Sequence, residues 1–191
     1  MDISIHKTKF LEKYNPRRDV EIALSNSVKA AVQHNSLYSS ETSSSKRKEI
    51  RDFWFRNLLK IGKQFEENLS ISSYEESVVN FKNLMNREYS REFSSGSTHG
   101  SEFRISHSQK SISVFVKYLW CMDLIGEPNI CPVDRIILSQ TEAKNFKDVS
   151  WGFVNDIETH RKKFQYIVNS ASVAGTSVAK WELLLFGNYK E

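Results

Sequence analysis

Helical periodicity, with few residues that break helices, is the feature that most restricts how this chain can fold. The clearest instance lies at residues 50–65, where apolar side chains recur at spacings of three and four and so share one face of a helix. The 191 residues include only 3 prolines and 7 glycines, whereas an all-β fold needs many turns. The sequence therefore predicts an all-α fold.

Helix start and stop signals predict about seven helices in a single compact domain that covers residues 15–191. The polar stretches 36–45 and 94–102 are typical of exposed loops between these helices. Residues 1–14 precede the first start signal, and we expect them to form an N-terminal arm or an edge segment. The predicted helix starts are Asn15 with Pro16, Ser45, a capping box of Ser73 and Glu76, Ser106 or Ser108, Pro132, Ser150 and Thr176.

The composition is ordinary for a globular protein and leaves several classes of function open. A hydrophobic content of 39% and a net charge of +4, with a pI near 9.0, permit nucleic-acid binding but do not require it. Two cysteines do not make a disulfide framework. Neither the apolar core of a signal peptide nor an apolar run of membrane length is present. We therefore expect a cytoplasmic protein without a membrane partner.

One segment, residues 103–140, combines helix signals with basic residues and has the layout of a site. Lys110 follows a predicted helix start, where free backbone amides and the positive end of the helix dipole favour an anion such as phosphate. Arg104 and His107 add positive charge there. A lysine in such surroundings is a candidate amine nucleophile. The alternative is that Lys110 is a solvated surface lysine.

A lone acid, Asp134, follows Pro132 and Val133 at the opening of a short predicted helix. An acid in this position can simply favour the helix dipole or pair with Arg135. It can also be a catalytic carboxylate held at the edge of the core. The residue pattern leaves both interpretations open.

Other kinds of chemistry find little support in the sequence. His99, His107, Cys121 and Cys131 are the available soft or borderline ligands, but their spacing fits no compact zinc pattern, so we expect no metal site. His160 stands in a charged run and is predicted to lie on a solvated helix face. The absence of a phosphate-binding glycine loop, a nucleophile elbow and a metalloprotease motif disfavours nucleotide-driven and hydrolase chemistry.

Two short motifs resemble the catalytic region of the helix-hairpin-helix DNA glycosylases, the superfamily of endonuclease III and 8-oxoguanine DNA glycosylase. Gln109–Ser111 opens an apolar helix, and Pro132–Arg135 follows after a loop, so the resemblance covers residues 104–138. Members of that superfamily are all-α. The resemblance implies that Lys110 attacks the sugar C1′ and forms a Schiff base, while Asp134 activates the lysine and stabilises the cationic sugar.

The function implied by this resemblance is that of a DNA-acting enzyme, a base-excision glycosylase or lyase that cleaves an N-glycosidic bond and requires no cofactor. Lys110 and Asp134 are the candidate catalytic residues. Residues 105–108, which contain no glycine, stand where the family has its glycine-rich hairpin. The candidate nucleic-acid contacts are Arg104, Ser106, His107, Ser108, Gln109, Lys117 and Arg135.

Two alternatives come from other classes of function. A non-catalytic helical module would bind nucleic acid, either DNA or RNA, or a protein partner, and a subunit of a defence or toxin system would need further chains. The enzyme interpretation predicts that Lys110 and Asp134 share one pocket. The binding module predicts a broad basic face around Lys110, with Asp134 paired to Arg135 or used as a helix cap.

Overall fold

The computed structural model describes residues 2–33, 37–67, 70–93 and 102–186. Within these residues the chain forms eight α-helices, and one isolated bridge joins Tyr38 to Phe93. The predicted all-α fold is confirmed. No helix in the described part of the chain combines the length and the apolar character that crossing a membrane requires. The helices are α1 (Ile3–Tyr14), α2 (Val20–Val32), α3 (Ser44–Gln64), α4 (Ile71–Tyr89), α5 (Ile105–Cys121), α6 (Arg135–Leu138), α7 (Ile157–Val173) and α8 (Val178–Phe186).

Helix α5 is the centre of the fold. It has 17 residues, and all of them except Val114 are buried. Helices α1 to α4 pack around it, and the indole Nε1 of Trp54 on α3 donates a hydrogen bond of 3.1 Å to Ser111 Oγ on α5. A helix enclosed on every side leaves no solvated face for its polar residues, so each of them needs a partner inside the protein.

A second, smaller apolar cluster holds the C-terminal elements together. Helices α6 and α7 contribute the fully buried Leu138 and Ile167, and α8 contributes Trp181. Cys131 and Val133, from the segment that leads into α6, complete this packing. The segment before α6 is thereby fixed beside the N-terminal half of α5, where the sequence motifs lie.

The N-terminal residues differ from the expectation. The sequence pattern predicts an arm or an edge segment at residues 1–14, whereas the structure has the helix α1 with Phe10 and Leu11 buried. The Phe10 ring packs against Tyr118 of α5 and Phe186 of α8. Tertiary packing of these side chains, rather than local periodicity, stabilises this helix.

Several helices begin at residues other than the predicted caps. Asn15 ends α1, and the carboxylate of Asp19 caps α2 by accepting two first-turn amides. Helix α7 begins after Asp156 rather than at Ser150. Asp and Ser cap helices about equally well, so neighbouring polar residues compete and local sequence does not decide between them. The other caps are Ser43 for α3, Ser70 for α4 and Arg104 for α5.

Close packing between α3 and α5 predicts that Gly62 does not tolerate a methyl group. A Cβ atom there would lie 2.8 Å from Phe115 Cε1 and 3.0 Å from Leu119 Cδ1. Alanine usually stabilises a helix by about 0.5–1 kcal/mol relative to glycine. We expect this overlap to make alanine destabilising instead. Gly62→Ala should lower the free energy of unfolding, measured by urea denaturation, by about 1–3 kcal/mol. Leu59→Ala on the exposed face is the control, and a Gly62→Ala protein as stable as wild type would contradict the packing.

Candidate functional site

Lys110 and Asp134, 24 residues apart in the chain, form an ion pair at the surface end of the core. Lys110 Nζ lies 2.5 Å from Asp134 Oδ2. The lysine stands in the second turn of α5 and the aspartate is the N-cap of α6. Their side chains keep 10% and 17% of their surface exposed to solvent. The structure therefore brings together the two residues that the sequence motifs single out, and leaves both accessible.

The Asp134 carboxylate is held from both sides. Its Oδ1 accepts a hydrogen bond of 2.9 Å from the amide of Ile137, which closes the first turn of α6. Just before it, the Gln109 side chain on α5 donates to Val133 O at 2.9 Å and accepts from Val133 N at 3.4 Å. These two bonds fasten the backbone next to Asp134 directly to the helix that carries Lys110. The distance between the acid and the amine is thus set by a rigid connection.

The charge on Asp134 is favoured by its neighbours. Burial alone would raise the pKa of this carboxyl, but the Lys110 ammonium and the Ile137 amide outweigh that effect, so the pKa lies below its ordinary value. The carboxylate is therefore ionised at neutral pH. A negative charge in this position can accept a proton from an amine or stabilise a developing cation.

The ion pair lines a cleft of about 400 Å³ that is open to solvent. Lys110 Nζ lies 5.6 Å from the centroid of the Trp151 ring, a distance at which a cation and an aromatic face attract each other. Ile136 and Phe153, with 50% and 44% of their surface exposed, add apolar walls. The complete lining is Ala30, Gln33, Lys110, Asp134, Arg135, Ile136, Val149, Ser150, Trp151, Gly152 and Phe153.

The aromatic wall of the cleft was not predicted from the sequence. The expected helix start at Ser150 assigned Trp151 and Phe153 to a helix, but they flank Gly152 in a link without helical structure before α7. An available signal was the pair of aromatic residues around a glycine, followed by an aspartate that can cap a helix. Ala30 of α2 and Gln33, the residue that follows this helix, also line the cleft, and no local pattern points to them.

The start of α5 is occupied by the protein's own backbone. Ser106 N donates to Val154 O at 2.9 Å, and Ser106 Oγ donates to Gly152 O at 2.8 Å. Arg104 Nε also donates to Gly152 O, at 3.1 Å, while the guanidinium lies 5.5 Å from the Phe153 ring centroid. The expectation of a phosphate at this helix start is therefore corrected, because the groups that would bind it hold the aromatic wall in place.

Three further candidate contacts lie in the interior. The ring Nδ1 of His107 accepts the Arg104 amide at 3.0 Å, and Ser108 Oγ donates to Val78 O at 2.8 Å. His107, Ser108 and Gln109 are each no more than 1% exposed. We therefore assign them to packing and positioning rather than to nucleic acid, because a phosphate outside the protein cannot reach their polar atoms. Arg135, by contrast, is exposed at the cleft.

Lys117 is also buried, contrary to its expected role as a nucleic-acid contact. Its Nζ lies 2.8 Å from Glu182 Oε2 on α8, and the two side chains are 6% and 3% exposed. The ammonium stands 4.5 Å from the Phe10 ring centroid and 3.9 Å from that of Phe186. Lys117 therefore ties α1 and α8 to α5. The signal for this pair was the single acid of α8, where every other residue except Lys180 is apolar.

His160 is corrected in the same way. The charged run around it predicts a solvated helix face, but the residue is 3% exposed and its ring packs between Tyr74 and Phe164. Burial lowers the pKa of His160 to about 4. Burial, together with the nearby Arg104 charge, lowers the pKa of His107 to about 3. Both imidazoles are therefore neutral in the folded protein at physiological pH.

Comparisons with models of protein families, with curated proteins and with solved structures found no match. Among the residues that the structure describes, no group of three or more His, Cys, Asp and Glu side chains is placed to hold a metal ion. Cys121 and Cys131 are both buried free thiols. Any function of the cleft therefore has to be inferred from the geometry of Lys110, Asp134 and the walls around them.

The buried Lys117–Glu182 pair predicts a large cost for removing one partner alone. We expect Lys117→Met to lower the free energy of unfolding by about 3–5 kcal/mol, because it leaves a carboxylate buried without a cation. Adding Glu182→Leu should restore most of that loss, and urea denaturation of both variants measures it. Lys7→Met, which breaks the more exposed Lys7–Asp123 pair, is the control and should cost about 1 kcal/mol or less. Equal stability of the single and double Lys117 variants would contradict this account.

The two neutral histidines predict a specific dependence of stability on pH. An unfolded histidine binds a proton near pH 6.5, whereas His107 and His160 in the folded protein resist protonation until about pH 3 and about pH 4. Their contribution to stability is complete above about pH 6.5 and is lost as the pH falls, at up to ~1.4 kcal/mol per pH unit for each residue. Denaturant titrations between pH 7 and pH 4.5 test this. His160→Gln should reduce the slope by about one proton, and an unchanged slope would refute it.

Proposed function

We propose that this protein is a base-excision enzyme of the glycosylase or lyase type, which acts on DNA, with RNA as the alternative substrate. Lys110 is the amine nucleophile and Asp134 is the carboxylate that assists it. The observation that carries the proposal is the 2.5 Å contact between Lys110 Nζ and Asp134 Oδ2 in a solvent-accessible cleft with aromatic walls. The two buried free cysteines favour a reducing compartment such as the cytoplasm.

A comparison within the molecule supports a chemical role for this pair. Lys117 and Glu182 form a second lysine–carboxylate pair from α5, but that pair is enclosed at 6% and 3% exposure, and neither residue lines the Lys110 cleft. Lys110 and Asp134 keep 10% and 17% exposure and face a cavity large enough for a nucleoside. A substrate can therefore reach Lys110 and Asp134, whereas Lys117 and Glu182 are closed to it.

The residues suit attack on the anomeric carbon of a sugar. Asp134 accepts a proton from Lys110, and the free amine attacks C1′. The bond from C1′ to the base breaks, and the base leaves with the electron pair and takes up a proton from solvent. The C1′–O4′ bond then breaks, O4′ takes up the proton that Asp134 had accepted, and the nitrogen releases one proton to solvent. The product is a protonated imine on Lys110, and the Asp134 carboxylate, charged again, stabilises this cation. At an abasic site, the Lys110 amine attacks the aldehyde form of the sugar, and loss of water gives the same imine.

The walls of the cleft fit the other half of such a substrate. A base that has left the stack of a nucleic acid is flat and aromatic, and it gains about 1–3 kcal/mol by stacking on an aromatic side chain. Trp151 presents such a face next to Lys110, while Arg135 at the cleft offers a cation for a phosphate. This arrangement differs from the broad basic face around Lys110 that a binding module predicts, whereas the use of Asp134 as the N-cap of α6 fits both interpretations.

Trapping with sodium borohydride on a duplex that contains one abasic site tests the proposal. We expect wild type to give a covalent adduct, because borohydride reduces an imine to a stable amine. Lys110→Gln should give no adduct, since it keeps a hydrogen-bond donor for Asp134 but has no nucleophile. Asp134→Asn should form adduct about 10²–10⁴-fold more slowly, and asparagine preserves the N-cap of α6.

A matched control separates the cleft from lysines in general. Lys7→Gln removes the lysine of a 2.7 Å ion pair with Asp123 at another site, and its adduct yield should equal that of wild type. Folding of each variant is checked by circular dichroism. A folded wild-type protein that gives no adduct with abasic DNA or abasic RNA would overturn the Schiff-base chemistry and favour a non-catalytic binding module.

A further inference from the structure

Helix α3 carries all of the excess positive charge of the chain. Its 21 residues include 7 Lys and Arg and 2 Asp and Glu, which gives the helix a net charge of +5. The whole chain has a net charge of +4, so the residues outside α3 have a net charge of −1. The basic character of this protein is therefore a property of one helix and not of its surface in general.

Ile50, Trp54 and Leu58 form the completely buried side of α3. Successive helix residues turn by 100°, so Lys48, Arg56, Lys60 and Lys63 lie about 120–180° around the helix from Trp54, on its solvent side. Arg47 and Arg51 are exposed but lie nearer to the buried side. The exposed cations from Lys48 to Lys63 extend over about 22 Å at 1.5 Å per residue, a length comparable to several consecutive phosphates of a nucleic acid. The exposed basic residues of α3 are Arg47, Lys48, Arg51, Arg56, Lys60 and Lys63.

Much of this charge is not neutralised within the described part of the chain. Lys46 pairs with Glu49 and Lys48 pairs with Asp52, whereas Arg56, Lys60 and Lys63 have no acidic partner within ion-pair distance among the described residues. The first turn of α3 also contains no acid. Lys46 and Arg47 stand there at the positive end of the helix dipole, which repels cations. A bound polyanion would relieve both kinds of repulsion.

We propose that the outward face of α3 binds the phosphate backbone of a nucleic acid, at a surface separate from the Lys110 cleft. A lipid surface fits less well, because a helix that lies on a membrane needs a broad apolar face, and here Ile50, Trp54 and Leu58 are already packed inside the protein. The identification of the polyanion as nucleic acid, rather than an acidic protein, rests on the proposed function. The existence of the basic surface does not.

The basic surface and the cleft point in different directions. Helix α3 packs on the side of α5 that carries Ser111, Phe115 and Leu119. These residues lie about 100–180° around the helix from Lys110, because successive residues turn by 100°. The outer face of α3 therefore points away from the cleft. We expect it to contribute affinity for undamaged nucleic acid without contributing to the chemistry.

Binding of an undamaged DNA duplex, measured by fluorescence anisotropy over a series of salt concentrations, tests the inference. The test variant combines Arg56→Gln, Lys60→Gln and Lys63→Gln. The matched control combines Lys9→Gln, Arg17→Gln and Arg91→Gln, three exposed residues outside α3 that remove the same charge. For the test variant we expect at least about a tenfold loss of affinity and a fall of about 2–3 in the slope of log affinity against log salt. The control should change affinity less than about twofold.

Three results would overturn the inference. Equal losses in the two variants would show an effect of net charge alone, and unchanged binding by the α3 variant would exclude its outer face. Tighter α3-dependent binding of poly-glutamate or of phosphatidylglycerol vesicles than of DNA would assign the face to another partner. The proposed chemistry is separable, since the α3 variant should retain full borohydride trapping at saturating protein, whereas Lys110→Gln should retain duplex affinity.

Discussion

The enclosure of α5 by its neighbours is the constraint on which the rest of the structure depends. A polar group inside a protein loses water and must find a partner there, or the fold loses about 1–3 kcal/mol for each such group. Almost every polar residue of α5 finds its hydrogen-bond or ion-pair partner in a different neighbouring segment. Ser108 bonds to α4, Gln109 to the segment before α6, Lys110 to the cap of α6 and Lys117 to α8. The polar side chains of one helix thus define where four other parts of the chain lie.

Periodicity was sufficient to predict the class of fold, because amphipathic helices show their buried side directly in the spacing of apolar residues. It was not sufficient for α5 or α1. Every side of α5 is buried, so its polar residues look like solvent contacts in the sequence and are in fact internal partners. Helix α1 depends on the packing of Phe10 against Tyr118 and Phe186, residues more than a hundred positions away. Contacts of that range leave no local signal.

The same distinction applies to the candidate site. Lys110 and Asp134 were identifiable because each is a charged residue near a predicted helix start. The structure places the two side chains in contact. Lys117 is a lysine of the same helix and yet lies in the core. Its burial could not be predicted locally, because its partner Glu182 is 65 residues away in the sequence. The basic character of α3 is visible in the sequence as a cluster of Lys and Arg residues. Only the packing of its other side shows which way those charges point.

The carbonyl oxygen of Gly152 accepts hydrogen bonds from both Arg104 and Ser106. This one atom joins the aromatic wall of the cleft to the helix that carries the lysine. These bonds oppose a lid-like movement of the wall, so we expect the shape of the cleft to be established when the chain folds and not when a ligand arrives. The conformational entropy of the binding surface is then lost during folding and not during binding. Selectivity in such a cleft comes from fit to an existing shape.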